Sequence, residues 1–182
     1  AVGDTIISNN SIHMTARNLG TWAIAVEPEG KPPLPGSDLR IQNNSITIDA
    51  QDGFVFPSAF GVDLFAAANN FLVENNDIYG TMRMGIRMIS TYDYTPVPPG
   101  IPSLPYGNTI RNNRLTGRFI HANGMYGSGI WNAGSGNHFV NNAINLNSPS
   151  QNGIFLFPLG SGFIPNPPTG NVISGNTMSG SA

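Results

Sequence analysis

Cysteine is absent from this 182-residue sequence, which excludes a disulfide framework and any thiolate metal site. Charge is scarce as well. Only 10% of residues are charged and the formal net charge is −2, where about a quarter charged is usual. Without an excess of cations, no face is expected to attract nucleic acid or anionic lipid. No apolar run approaches the roughly 18 residues of a membrane-spanning helix, so no membrane insertion is expected. No leader-like stretch opens the sequence, which begins on Ala1 rather than Met. It reads as a processed product or a cut piece.

Glycine (22), proline (15) and apolar residues (40%) are plentiful. That is too apolar for a disordered chain, and it points to many short strands joined by many turns. The length suits one domain with a real core.

The strongest signal is a repeat. "TIISNNSIHM", "LRIQNNSITI", "FLVENNDIYG", "NTIRNNRLTG", "NHFVNNAINL" and "NVISGNTMSG" align on Asn10, Asn44, Asn76, Asn113, Asn142 and Asn176, at spacings of 34, 32, 37, 29 and 34. A self-similar unit of this size marks a solenoid. Three positions before the anchor stand Ile7, Ile41, Val73, Ile110, Phe139 and Ile173. Two positions after it stand Ile12, Ile46, Ile78, Leu115, Ile144 and Met178. Apolar columns with polar or mixed flanks are the alternation of half-buried strands on either side of a break. A third strand lies between units, in "WAIAV", "FGVDL", "MGIRM", "SGIWN" and "NGIFL", with Ile24, Val62, Ile86, Ile130 and Ile154 at its centre.

Asparagine is poor inside a strand but tolerates the left-handed conformation of a sharp corner. If each unit is one coil of a parallel β-helix, equivalent positions stack about 4.8 Å apart. Each amide can then donate to the same asparagine one coil away. Asn108, Asn137 and Asn171 suggest a second, shorter ladder. The expected fold is all-β, a parallel β-helix of about five coils with three short strands each. It spans residues 1–182 as one domain, open to being a piece of a longer solenoid.

This pattern resembles the right-handed parallel β-helix repeat of the pectate-lyase-like superfamily across nearly the whole chain. The resemblance implies an extracellular or cell-surface protein that uses one β-face as a cleft for an extended polysaccharide. On the third strand, the residue after the central one points outward, giving the column Ala25, Asp63, Arg87, Trp131 and Phe155. Asp63 and Arg87 fall within reach of an ion pair, and Trp131 and Phe155 extend the column as an exposed aromatic strip. Proline-rich stretches 27–38, 90–107 and 157–170 would wall the groove with Tyr92, Tyr94, Tyr106 and Phe163. Arg83, Arg118, His121 and Tyr126 lie in the segments that enter it.

The candidate substrate-binding residues are therefore Trp131, Phe155, Tyr92, Tyr94 and His121, since aromatic faces give sugar rings an apolar platform. Arg87 and Asp63 are the candidate catalytic pair. Arg87 would neutralise a uronate carboxylate or act as base in β-elimination, with Asp63 orienting it. The base role is demanding because arginine stays protonated. The plainer alternative is a surface salt bridge beside aromatics covered by loops. The family's acidic calcium cluster, its paired aspartates with Gly-His-Gly and its Asp-Pro-His are all missing. Inverting hydrolysis wants two carboxyls about 6.5–9.5 Å apart. Asp63 has no such neighbour on its own face, and Asp49, Asp52 and Glu27 reach it only by loop folding.

Elsewhere, Glu74 and Arg111 read as a structural pair. His13, Thr47, Tyr79, Thr116, Asn145 and Ser179 read as an ordinary solvated face. Met82, Met84 and Met88 read as core filling. His121 and His138 are isolated and no spacing suits a metal, so neither metal nor cofactor is expected. Two functions follow. One is a β-helix that binds an extended polysaccharide; if it also cleaves, it is a polysaccharide lyase or glycoside hydrolase. The other is a structural or adhesive module that self-associates through its coil ends, as in a surface fibre.

Overall fold

Both apolar columns that flank the paired asparagines lie on strands. The structure, a computed structural model, describes residues 5–16, 21–26, 38–50, 59–64, 69–89, 105–120, 127–147, 151–157 and 168–180. The first coil holds β1 (Thr5–Ser8), β2 (Ser11–Ala16) and β3 (Thr21–Val26), and the second β4 (Leu39–Gln42), β5 (Ser45–Ala50) and β6 (Ala59–Leu64). The third holds β7 (Leu72–Glu74), β8 (Asp77–Met82) and β9 (Met84–Met88). The fourth holds β10 (Thr109–Arg111), β11 (Arg114–Phe119) and β12 (Ser128–Asn132). The fifth holds β13 (His138–Val140), β14 (Ala143–Leu146) and β15 (Asn152–Leu156), and β16 (Val172–Ser174) and β17 (Thr177–Gly180) follow.

Each strand pairs in parallel with its counterpart one coil away. Two six-stranded sheets and one five-stranded sheet result, ordered β1-β4-β7-β10-β13-β16, β2-β5-β8-β11-β14-β17 and β3-β6-β9-β12-β15. This is a parallel β-helix. The register keeps the columns intact. Ile110 pairs with Val73 and Phe139, Leu115 with Ile78 and Ile144, and Ile130 with Ile86 and Ile154. Stacked aliphatic side chains fill the coil, and Ile41, Ile46, Val73, Ile86, Ile110, Leu115 and Ile130 are fully buried.

The paired asparagines divide two tasks. The first of each pair takes the left-handed corner, with φ between 54° and 58° at Asn9, Asn43, Asn75, Asn112 and Asn141. Gly175, at φ 64°, replaces it in the last coil. The second forms the ladder. The backbone N–H and Nδ2 of Asn76 both donate to Oδ1 of Asn113, each at 3.0 Å. Asn113 repeats this onto Asn142, at 3.1 and 3.0 Å. The expected second ladder also forms, with the Asn108 N–H and Nδ2 donating to Asn137 Oδ1 at 2.8 and 3.0 Å.

Candidate functional site

The third sheet carries the predicted column in the predicted register: Ala25–Asp63, Asp63–Arg87, Arg87–Trp131 and Trp131–Phe155. Its surroundings differ from the expectation. Asp63 is fully buried and the Arg87 side chain is 13% exposed. Arg87 donates through Nε to Asp63 Oδ1 at 2.8 Å and through Nη2 to Oδ2 at 2.5 Å. Its guanidinium lies 3.9 Å over the Phe60 ring, a cation–π contact. The pair is thus buried and two-pronged rather than a surface bridge. Both contacts engage arginine as a cation, whereas a base in elimination must act as the neutral group.

The aromatic strip is not an open platform either. Trp131 is 5% exposed and stacks on Phe157 at 5.2 Å between ring centroids. Phe155 is half-buried, 5.9 Å from the same ring. Phe60, Met84, Trp131 and Ala133 form a second hydrophobic cluster, with Ile89, Phe155 and Phe157 packed against it. Apolar side chains on the outer face of this sheet find one another and leave water, as they do on the inner face. Alternation tells inside from outside; it does not tell outside from exposed. Tyr92, Tyr94 and His121, with Tyr126 and Phe163, lie outside the described residues, as does most of the three proline-rich stretches. Tyr106 is described and is 51% exposed, bridging Asn69 and Ser135 at a corner.

A face open to solvent among the described residues, with clefts, belongs to the second sheet. Its central outward column runs His13, Thr47, Tyr79, Thr116, Asn145, Ser179 in continuous register. Tyr79 is 55% exposed, and a shallow cleft lies on either side of it. One, of about 430 Å³, is lined by Ser45, Thr47, Asp77, Tyr79, Arg114 and Thr116. The other, of about 350 Å³, includes His13, Asp49, Tyr79, Thr81, Arg118 and Asn147 in its lining. Asp77 and Arg114 form a two-pronged pair across adjacent strands, with Nε donating to Oδ1 at 3.0 Å. That hydrogen bond and the carboxylate charge raise the Arg114 guanidinium above the usual arginine value. On the first sheet, Glu74 and Arg111 make the expected pair, 2.7 Å apart.

In the sequence this face is marked by a column of six hydrogen-bonding side chains with one tyrosine near its middle. It passes for a solvated face because periodicity carries no information on clefts.

No family model, curated protein or solved structure matches the chain.

Proposed function

We propose that this chain is a secreted or cell-surface β-helix that binds an extended polysaccharide along one β-face, and that the face is the second sheet rather than the third. Tyr79 carries the reading: a half-exposed aromatic ring between two clefts, in a column whose other members all have side chains able to donate or accept hydrogen bonds. A ring face gives a sugar an apolar platform, and hydroxyl, imidazole and amide groups around it fix orientation. The rungs repeat about every 4.8 Å, comparable to one pyranose unit of an extended chain, so successive sugars would meet equivalent rows. Binding is the activity proposed. The buried Asp63–Arg87 pair then serves the fold.

Titration of the whole chain with neutral and uronate-containing polysaccharides tests this. Tyr79→Ala should weaken binding about tenfold, the scale of a lost stacking contact of 1–1.5 kcal/mol, with thermal stability unchanged. If Tyr79→Ala binds as the parent does, or if the parent binds no glycan, the reading is lost.

The structural or adhesive module is the second reading. Exposed apolar side chains on the outermost strands favour it: Ile6 at 55%, Ile173 at 47% and Met178 at 53%. It predicts concentration-dependent assembly in sedimentation, which a binding module need not show.

A further inference from the structure

The paired asparagines of the first two coils carry a signal that the ladder does not use. Asn9-Asn10-Ser11 and Asn43-Asn44-Ser45 both read Asn-x-Ser with no proline at x, the acceptor sequence for an N-linked glycan. The later coils break it. Asp77, Arg114 and Ala143 stand where the serine would be. The last repeat keeps a hydroxyl, Thr177, but has Gly175 in place of the asparagine.

The coil decides which asparagine of each pair is offered. Asn9 and Asn43 take the left-handed corner, at φ 58° and 56°, and both are exposed. The ladder asparagines are tied down instead. Asn10 Nδ2 donates to Asn44 Oδ1 at 2.9 Å. Asn44 Nδ2 donates to Asn76 Oδ1 at 2.9 Å and to the Ile7 carbonyl at 3.0 Å. A sugar on that nitrogen would take the place of a ladder hydrogen and would need room inside the coil. The sequence frame avoids this. For Asn10 or Asn44 to be the acceptor, a hydroxyl would have to stand at Ile12 or Ile46, in the apolar column that fills the coil. The signal therefore falls on the outward member of each pair, and Ser11 and Ser45 are exposed with it.

We propose that Asn9 and Asn43 are attachment sites for N-linked glycans. In the transfer, the asparagine Nδ2 attacks the anomeric carbon of an oligosaccharide carried on a lipid pyrophosphate. The N–C bond forms and the anomeric C–O bond breaks. The pyrophosphate leaves with the bonding pair, and the amide gives up one proton. The two acceptors stand one rung apart, about 4.8 Å, so the stems rise side by side from the corner between the first and second sheets. Ser45 also lines the cleft that holds Thr47 and Tyr79, which puts the Asn43 glycan at the rim of that cleft. The proposal rests on the secreted or cell-surface half of the proposed function and not on sugar binding by Tyr79.

The test is the mass of the whole chain, sent into the secretory route of yeast behind a cleavable leader. The mass should exceed that of the polypeptide by one or two core glycans. Digestion with a peptide:N-glycanase should remove the excess and leave aspartate at each position that carried a glycan, read by peptide mapping. Ser11→Ala should abolish the modification of Asn9, and Ser45→Ala that of Asn43. Both serines are exposed, so the double variant should fold, which its melting curve checks, and it should have the bare mass. A parent chain whose leader has been cleaved and whose mass is still bare overturns the proposal. So does an excess that survives in the double variant. Failure of the polysaccharide titration is a separate result, because attached glycan is read by mass and not by binding.

Discussion

Asn112 and Asn113 are chain neighbours with different duties, and substitution should separate them. Asn112 supplies a left-handed backbone, φ 54°, which glycine adopts freely. Asn112→Gly should therefore change stability by less than about 1 kcal/mol. Asn113 is buried, and its amide receives two bonds from Asn76 while donating to the Val73 carbonyl and to Asn142. Asn113→Ala strands those groups, at about 1–3 kcal/mol for each one left unsatisfied. Denaturant titration of the two variants checks the contrast; equal losses would show that the ladder adds nothing beyond the turn. Asn132 extends the same logic. It stands in the otherwise apolar row Leu64, Met88, Asn132, Leu156, yet is fully buried. It survives there because it is bonded to Gly134 on both sides of its amide and accepts from Asn137 at 3.1 Å. An interior amide thus ties the third sheet to the second ladder.

The middle strands of the third sheet differ from the others as elements, because they are packed on both faces. β6 and β12 are buried at every position, whereas β5 and β11 alternate along most of their length. Glycines 61, 85 and 129 allow the double packing. Their neighbours stay in register from coil to coil, and the missing side chains leave room for Ile78, Leu115 and Ile144 from inside the coil. At Gly85 a Cβ would lie 2.3 Å from Leu115 Cδ2 and 2.7 Å from the Gly129 carbonyl oxygen. Gly85→Ala should cost about 1–3 kcal/mol, the range for overpacking a filled core. A melting temperature equal to the parent's would mean that the coil yields there easily. The buried Asp63–Arg87 pair belongs to this element too. Its attraction is offset by the desolvation of both ions, so its firmest consequence is register: it joins the second coil to the third.

Across the whole molecule, each coil contacts chiefly the coils beside it. Strand pairing links every strand only to the equivalents before and after it, so stability is close to a sum of coil and interface contributions. The middle coils are sealed on both sides, as Ile78, Ile110 and Leu115 show, while Met178, in the same column as Leu115, is 53% exposed. Opening should begin at the outermost described strands. Amide hydrogen exchange measured by mass spectrometry should be fastest in β16 and β17 and slowest in β8 and β11. Uniform protection along the stack would instead show an all-or-none unit.

The winding itself was legible from sequence. Corner asparagines, flanking aliphatics and a repeat near thirty residues are local signals, and a solenoid repeats local structure, so Asn76, Val73 and Ile78 announce their places without distant information. The register of Asp63 against Arg87 and of Glu74 against Arg111 follows from the same alignment. Which outward residues meet water did not. Whether Trp131 stands exposed or disappears into a second apolar cluster depends on Phe60, Met84 and Phe157, brought beside it from two other strands and the end of a third. Whether Tyr79 is one residue of a plain solvated surface or the ridge between two clefts depends on strands before and after it. Inside and outside are encoded in the period of the chain. Exposure and solvation are sums over neighbours, and the folded stack alone assigns those.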